Sequence, residues 1–186
     1  MKKLYFLFLL VIPFFTASAQ KYVPLIKEGT VLNYDVISSA TGQKATITLK
    51  YVSVTPPVKM SWSIPFVGAG TFEMGAKSLE SGTKLFASEP DVDDVTKLDD
   101  NQTVLVLSKT TFTDLVNTKT FKVNGYTFNI QADTAAFKIN QKDADVFHAV
   151  STKGHRELWV LNNPAWPLVC KSLNVSNIDY SIVSVQ

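Results

Sequence analysis

Apolar and polar residues alternate with a period of two along most of this chain, and that rhythm leaves it few folds. In Lys44 to Val54, Ala45, Ile47, Leu49 and Tyr51 interleave with Thr46, Thr48 and Lys50, so an extended backbone puts one set on a buried face and the other on a wet one. Gly29 to Ile37 repeats the pattern with Leu32, Tyr34 and Val36, and Ser38 to Gly42 supplies the turn that makes the two strands a hairpin. Pro56 and Pro57 end the second strand by removing backbone donors, and Val58 to Ile64 restarts the alternation with Met60, Trp62 and Ile64 in phase. Asn124-Gly125, flanked by Phe121, Val123, Tyr126, Phe128 and Ile130, carries the two residues that accept positive φ in a tight type I′ hairpin. Asp145–Ser151, Arg156–Leu161, Leu168–Leu173 and Ile178–Val185 continue in the same manner, with a turn at Lys153-Gly154.

These signals predict an all-β, mainly antiparallel fold, with eight or nine strands curled into a barrel or half-barrel. Eight strands close a barrel about wide enough for its own side chains or one small ligand. One short helix interrupts the pattern: Ser108 is a candidate N-cap, and Phe112, Leu115 and Val116 recur at helical spacing up to about Asn117. Two turns do not stand alone, so its apolar stripe is expected to pack on the sheet or plug one opening. Residues 65 to 104 break the rhythm with Gly68, Gly70, Gly75 and Gly82, followed by the acids Glu89, Asp91, Asp93, Asp94, Asp99 and Asp100. That stretch reads as an irregular connection.

The N-terminus reads differently. Lys2 and Lys3 precede an apolar run from Leu4 to Phe15, then Thr16-Ala17-Ser18-Ala19, the layout of a secretory signal peptide cleaved after Ala19. The run is interrupted by Pro13 and is shorter than the roughly 20 residues a spanning helix needs, so no transmembrane segment is expected in the mature chain. Gln20 stands where a lipid anchor would need cysteine. Residues 20 to 186 then form a single exported domain, with the periplasm its expected compartment and the extracellular space the alternative. Two of the 18 basic residues lie in the leader, so the remainder balances the 16 acids and leaves no electrostatic footprint for nucleic acid. A composition of 46% hydrophobic and 11% aromatic residues excludes a disordered chain. Cys170 has no partner in the sequence and is read as a buried small hydrophobe, since no histidine or basic cluster beside it would activate a thiol.

The sequence carries none of the short motifs of nucleophile elbows, phosphate loops or zinc proteases. With Lys153-Gly154 as a two-residue loop, His148 falls opposite Trp159 and His155 opposite Thr152, which sets the two histidines far apart and argues against a shared metal site. Asp91, Asp93 and Asp94 have the beginnings of a calcium-loop spacing, but Thr96 and Gln102 stand where that loop needs glycine and glutamate. No cofactor or metal is expected. The aromatics form the more informative population. Tyr34, Tyr51, Trp62, Phe128, Trp159 and Trp166 are the candidate lining of an apolar cavity, with Trp166, set between Pro164 and Pro167, either gripping a ligand or capping the core.

Three segments carry a family resemblance. Tyr22-Val-Pro-Leu-Ile-Lys-Glu-Gly-Thr-Val-Leu-Asn-Tyr-Asp-Val36, the stretch Leu98–Thr103 with Leu107–Leu115, and Glu157–Lys171 with Ile178–Tyr180 together resemble the DUF3108-like group of exported bacterial proteins. The resemblance implies a mainly antiparallel barrel or half-barrel exported in Gram-negative bacteria, without an established reaction and without catalytic residues to transfer. The Gly-rich stretch Phe66 to Gly75 departs from that pattern.

Three functions follow as expectations. The first is a non-enzymatic binding or carrier module for a lipid or other apolar or amphipathic molecule. The second is a structural or interaction protein that docks an envelope protein through a sheet edge or loops. The third is a hydrolase built on His148 or the acids between Asp91 and Asp100.

Overall fold

The computed structural model describes residues 21–88, 90–132 and 136–186. The leader expected at residues 1–19 and Glu89 of the acidic run lie outside them. The described elements run β1 (Val31–Ser38), β2 (Lys44–Ser53), β3 (Val58–Ile64), β4 (Gly68–Met74), α1 (Ala76–Ser81), β5 (Lys84–Leu85), β6 (Val95–Lys97), β7 (Gln102–Thr103), α2 (Lys109–Thr118) and β8 (Thr120–Val123). There follow β9 (Tyr126–Ile130), β10 (Lys138–Ile139), β11 (Lys142–Asp143), β12 (Val146–Ser151), β13 (Glu157–Leu161), β14 (Val169–Leu173) and β15 (Ile178–Val185).

Eleven of these strands form one sheet in the order β6, β4, β3, β2, β1, β15, β14, β13, β12, β9, β8. The long hairpins sit where the alternation places them. β1 and β2 pair in register from Val31↔Lys50 to Ile37↔Lys44, and β8 and β9 close on Val123↔Tyr126 around Asn124 (φ 52°) and Gly125 (φ 80°). His148 lies opposite Trp159, the register that a two-residue loop at Lys153-Gly154 dictates. The last strand returns to the first, with Leu32↔Val185 through Ser38↔Ile178.

Three expectations need correction. The fold is mostly β, but the sheet is mixed: β4 and β6 run parallel, because the chain leaves β4 through α1 and β5 and re-enters beside it, a crossover no hairpin can make. The described strands also outnumber the eight or nine expected, and the sheet does not close into a barrel. Its end strands are β6 and β8, and no ladder joins them; the turn after β8 is tied to the start of β5, with Asn124 N donating to Thr83 O at 3.0 Å and Leu85 N to Asn124 Oδ1 at 2.8 Å, and α2 packs beside β8.

The helix forms as its sequence requires. Ser108 Oγ accepts from Thr111 N at 3.3 Å, capping one of the free donors of the first turn, and Lys119 in the left-handed region ends the helix. Phe112 and Leu115 are buried, and α2 covers one side of the sheet. Consecutive residues of β13 therefore enter two different cores: Trp159 and Leu161 join a larger one with Tyr34, Tyr51 and Trp62, whereas Leu158 and Val160 join a smaller one with Phe112, Phe121 and Phe128. A strand covered on both faces reads as a continuous apolar run, which is what Leu158-Trp-Val-Leu161 is.

Candidate functional site

The larger core does not pack to its end. Where β1, β2 and β15 approach the turns at 38–43 and 174–177, the side chains of Tyr34, Val36, Ile47, Leu49, Phe72 and Tyr180 line a pocket of about 130 Å³ that opens to the surface. Ile64, Ile178, Val104 and Leu105 extend the apolar wall, and Phe86, Ala87, Ser88 and Pro90 contribute its outer lip. Alternation along each strand explains the lining: Tyr34 and Val36, Ile47 and Leu49, and Ile178 and Tyr180 are two apart, so each pair shares a face.

The Tyr34 and Ser176 hydroxyls of this wall are occupied. Tyr34 meets Tyr180 edge to face, with centroids 5.8 Å apart, and its hydroxyl donates to Val169 O at 3.2 Å. Burial pushes the Tyr34 hydroxyl well above its ordinary range, with the neighbouring Cys170, Tyr180 and Tyr51 adding to the effect. Burial does the same to Tyr180, partly offset by a hydrogen bond with Ser172. Cys170 is fully buried and unbridged, with its thiol likewise pushed up by burial, so it is a packing residue, as its sequence context indicates. Ser176 Oγ at the rim donates to Ile178 O at 3.0 Å. What the pocket offers a guest is apolar surface and the edges and faces of aromatic rings.

The six sequence candidates separate. Tyr34 alone lines this pocket. Tyr51 and Trp62 lie behind it, essentially inaccessible, and each holds a buried polar atom, Tyr51 Oη and Trp62 Nε1, with no hydrogen-bond partner among the described residues. Trp166 is partly buried, edge-on to Tyr51 at 5.1 Å, and lines a second cavity of about 240 Å³ with Leu79, Val106 and Lys109. It thus touches the core and also faces an opening, the two roles that its sequence context left open. Trp159 sits on β13 under His148, stacked at 4.2 Å, and Lys171 Nζ lies 4.4 Å from its ring centroid. Phe128 belongs to the smaller core, stacked on Phe121 at 5.5 Å, and is not part of the same wall. Of the six, Tyr34 lines this pocket and Trp166 the second cavity, and the other four line neither. Inward on β9 means toward the α2 side of the sheet, and inward on β1 means toward the other.

Several lining residues were missed. Phe72 and Phe86 lie in the stretch read as irregular, where glycines mask the alternation of Phe72 and Met74. Tyr180 carried a usable signal, the phase of Ile178, Tyr180 and Ile182 in the last strand.

The other sequence candidates are placed as follows. His148 Nε2 and Glu157 Oε2 share a hydrogen bond of 2.8 Å, and Trp159 stacks on the imidazole ring. Asp91, Asp93 and Asp94 are exposed, and the Asp91 and Asp94 carboxylates accept from Thr96 Oγ1 and Val95 N. No group of three or more metal-ligating side chains is present among the described residues, and none of the described helices is long and apolar enough to cross a membrane. No protein-family model, curated protein or solved structure matches this chain.

Proposed function

We propose that this protein is a binding or carrier module for an apolar or amphipathic ligand, exported to the periplasm by the leader pattern of residues 1–19 and related to the DUF3108-like group. In this reading the sheet is an open half-barrel, and its apolar wall holds the ligand. One observation carries it: the pocket beside Tyr34 and Tyr180, walled by aliphatic and aromatic side chains, with the Tyr34 hydroxyl already engaged. Displacing water from such a wall favours any apolar group by about 25 cal/mol per Å² of surface removed from solvent.

The size of the pocket narrows the ligand. Sites that swallow a whole drug-sized molecule run to about 300–1,000 Å³, whereas a cavity of about 150 Å³ takes a single benzene. At about 130 Å³ this pocket holds one ring or a short alkyl segment. The guest buries its apolar end and leaves the rest outside.

The test uses protein purified from its native envelope, extracted with organic solvent and examined by mass spectrometry, together with titration of the fluorophore N-phenyl-1-naphthylamine. Retained amphiphile and saturable fluorescence enhancement are expected. Ile47→Trp, at a partly buried position on the wall, should weaken probe binding at least tenfold while the melting temperature stays within a few degrees. Clean extracts with no enhancement by the wild-type chain overturn the proposal.

A further inference from the structure

The turn between β3 and β4 spends its most exposed positions on large apolar side chains. Phe66 is fully exposed at φ 64°, a backbone region that glycine or asparagine fills at least cost, and Val67 beside it is 59% exposed. Val92 and Val95, 47% and 39% exposed, lie on the segment that runs alongside β4 although they are more than twenty residues on in sequence. A Cβ at Gly68 would sit 2.6 Å from Val92 Cγ1, and Val95 pairs with Thr71. Backbone bonds fix the two segments together, Asp93 N to Ala69 O at 2.7 Å and Thr71 N to Asp94 O at 3.0 Å. Gly70 permits this approach, since a Cβ there would lie 2.6 Å from Asp91 O. The result is a preorganised apolar knob on β4 and β6, beside the pocket lip formed by Ile64 and Pro90. Its surroundings are acidic: Asp91, Asp93 and Asp94 are exposed, and none is in an ion pair among the described residues.

We infer that Phe66 and Val67, with Val92 and Val95, form a docking surface for a partner protein that offers an apolar socket edged by lysine or arginine. An aromatic anchor ringed by charge is the usual layout of an energetic centre in an interface. The charge selects the occupant. Two copies meeting through this tip would bring two sets of carboxylates together, and an anionic bilayer would repel the same groups, whereas a basic rim neutralises them. The surface stands independently of the ligand pocket and survives if that pocket binds nothing.

The experiment places p-benzoylphenylalanine at Val67 of the full chain and irradiates the cells that make it. One dominant protein adduct is expected, whose crosslinked peptide, read by mass spectrometry, carries apolar residues flanked by lysine or arginine. With that protein purified, Phe66→Ser should weaken binding at least tenfold without lowering the melting temperature, and Asp91→Asn/Asp93→Asn/Asp94→Asn should weaken it at least tenfold and flatten its salt dependence. Val52→Ser, an exposed valine elsewhere on the sheet, should change neither. Adducts to lipid, to a second copy of this chain or to no protein at all overturn the inference. So does a protein adduct whose affinity ignores the three carboxylates.

Discussion

The two cores of this protein use the same kinds of side chain and finish differently. The smaller one is sealed: Phe121 and Phe128 stack at 5.5 Å, Phe112 meets Phe147 edge to face at 6.3 Å, and α2 lies across them. The larger one stops short of the surface at the pocket beside Tyr34 and Tyr180, and it also holds the unpaired Tyr51 Oη and Trp62 Nε1. Incomplete packing and unmet hydrogen bonds both lower stability, so a chain shaped only by stability would have neither. Two of the buried unpaired atoms, Tyr51 Oη and Trp62 Nε1, lie in the larger core, whereas a third, Arg156 Nε, belongs to a guanidinium over Tyr126 at the margin of the smaller one.

Alkali should strike the larger core first, and this is the largest effect expected. Tyr34, Tyr51, Cys170 and Tyr180 all pack in or against that core, and burial raises the pKa of each. Each is neutral when protonated. The unfolded chain releases these protons near the ordinary values of 9.0 for cysteine and 10.0 for tyrosine, whereas the folded chain keeps them to higher pH. Above about pH 9 the native state therefore binds more protons than the unfolded one, and stability, fully present below that pH, falls as pH rises. At about 1.4 kcal/mol per group for each pH unit between the two pKa values, the loss by pH 11 should reach about 7 kcal/mol. Urea melts from pH 7 to 11 check the slope, and Cys170→Ala should flatten its onset. A flat profile to pH 11 would mean that these hydroxyls reach water.

Truncations come next in size and sharpen the contrast. Phe128→Ala, in the sealed core, should cost about 4 kcal/mol, because the stacked wall cannot collapse around the lost ring. Ile47→Ala, on the pocket wall, should cost about 1 kcal/mol, since part of its surface already faces open space. Equal losses in equilibrium unfolding would erase the distinction between the two cores.

What the sequence made legible is local. The pairing of His148 with Trp159, the turn at Asn124-Gly125 and the cap at Ser108 each follow from a few adjacent residues, because loop length fixes register and a side-chain oxygen caps a helix wherever it falls. β4 was hidden because Gly68-Ala-Gly70 has little strand propensity, and α1 because its N-cap is Gly75, with no side chain to announce it. The candidate site suffered most. Alternation tells which residues share a face of one strand, but not which of two cores that face meets. It grouped Tyr34 with Phe128, although the sheet and α2 assign them to different cores. Phe72 and Phe86 could complete the pocket only once β4 was seen to add to β3 and the segment after β5 to fold over it.

The smallest expected effect bears on why the larger core tolerates a buried phenol. Tyr51 is fully buried, edge-on to Trp166, and its hydroxyl has no partner among the described residues. If that hydroxyl contributes nothing to the free protein, Tyr51→Phe removes a desolvated polar atom while keeping the ring, and stability should rise by about 1 kcal/mol. The same change in the presence of a bound amphiphile distinguishes two roles. A gain that persists marks Tyr51 as packing alone, whereas a gain that turns into weaker ligand binding means the phenol is held for the guest. A loss of stability in the ligand-free protein would show that the hydroxyl is satisfied after all, and Trp62 Nε1 would be left as the unpaired atom of the larger core.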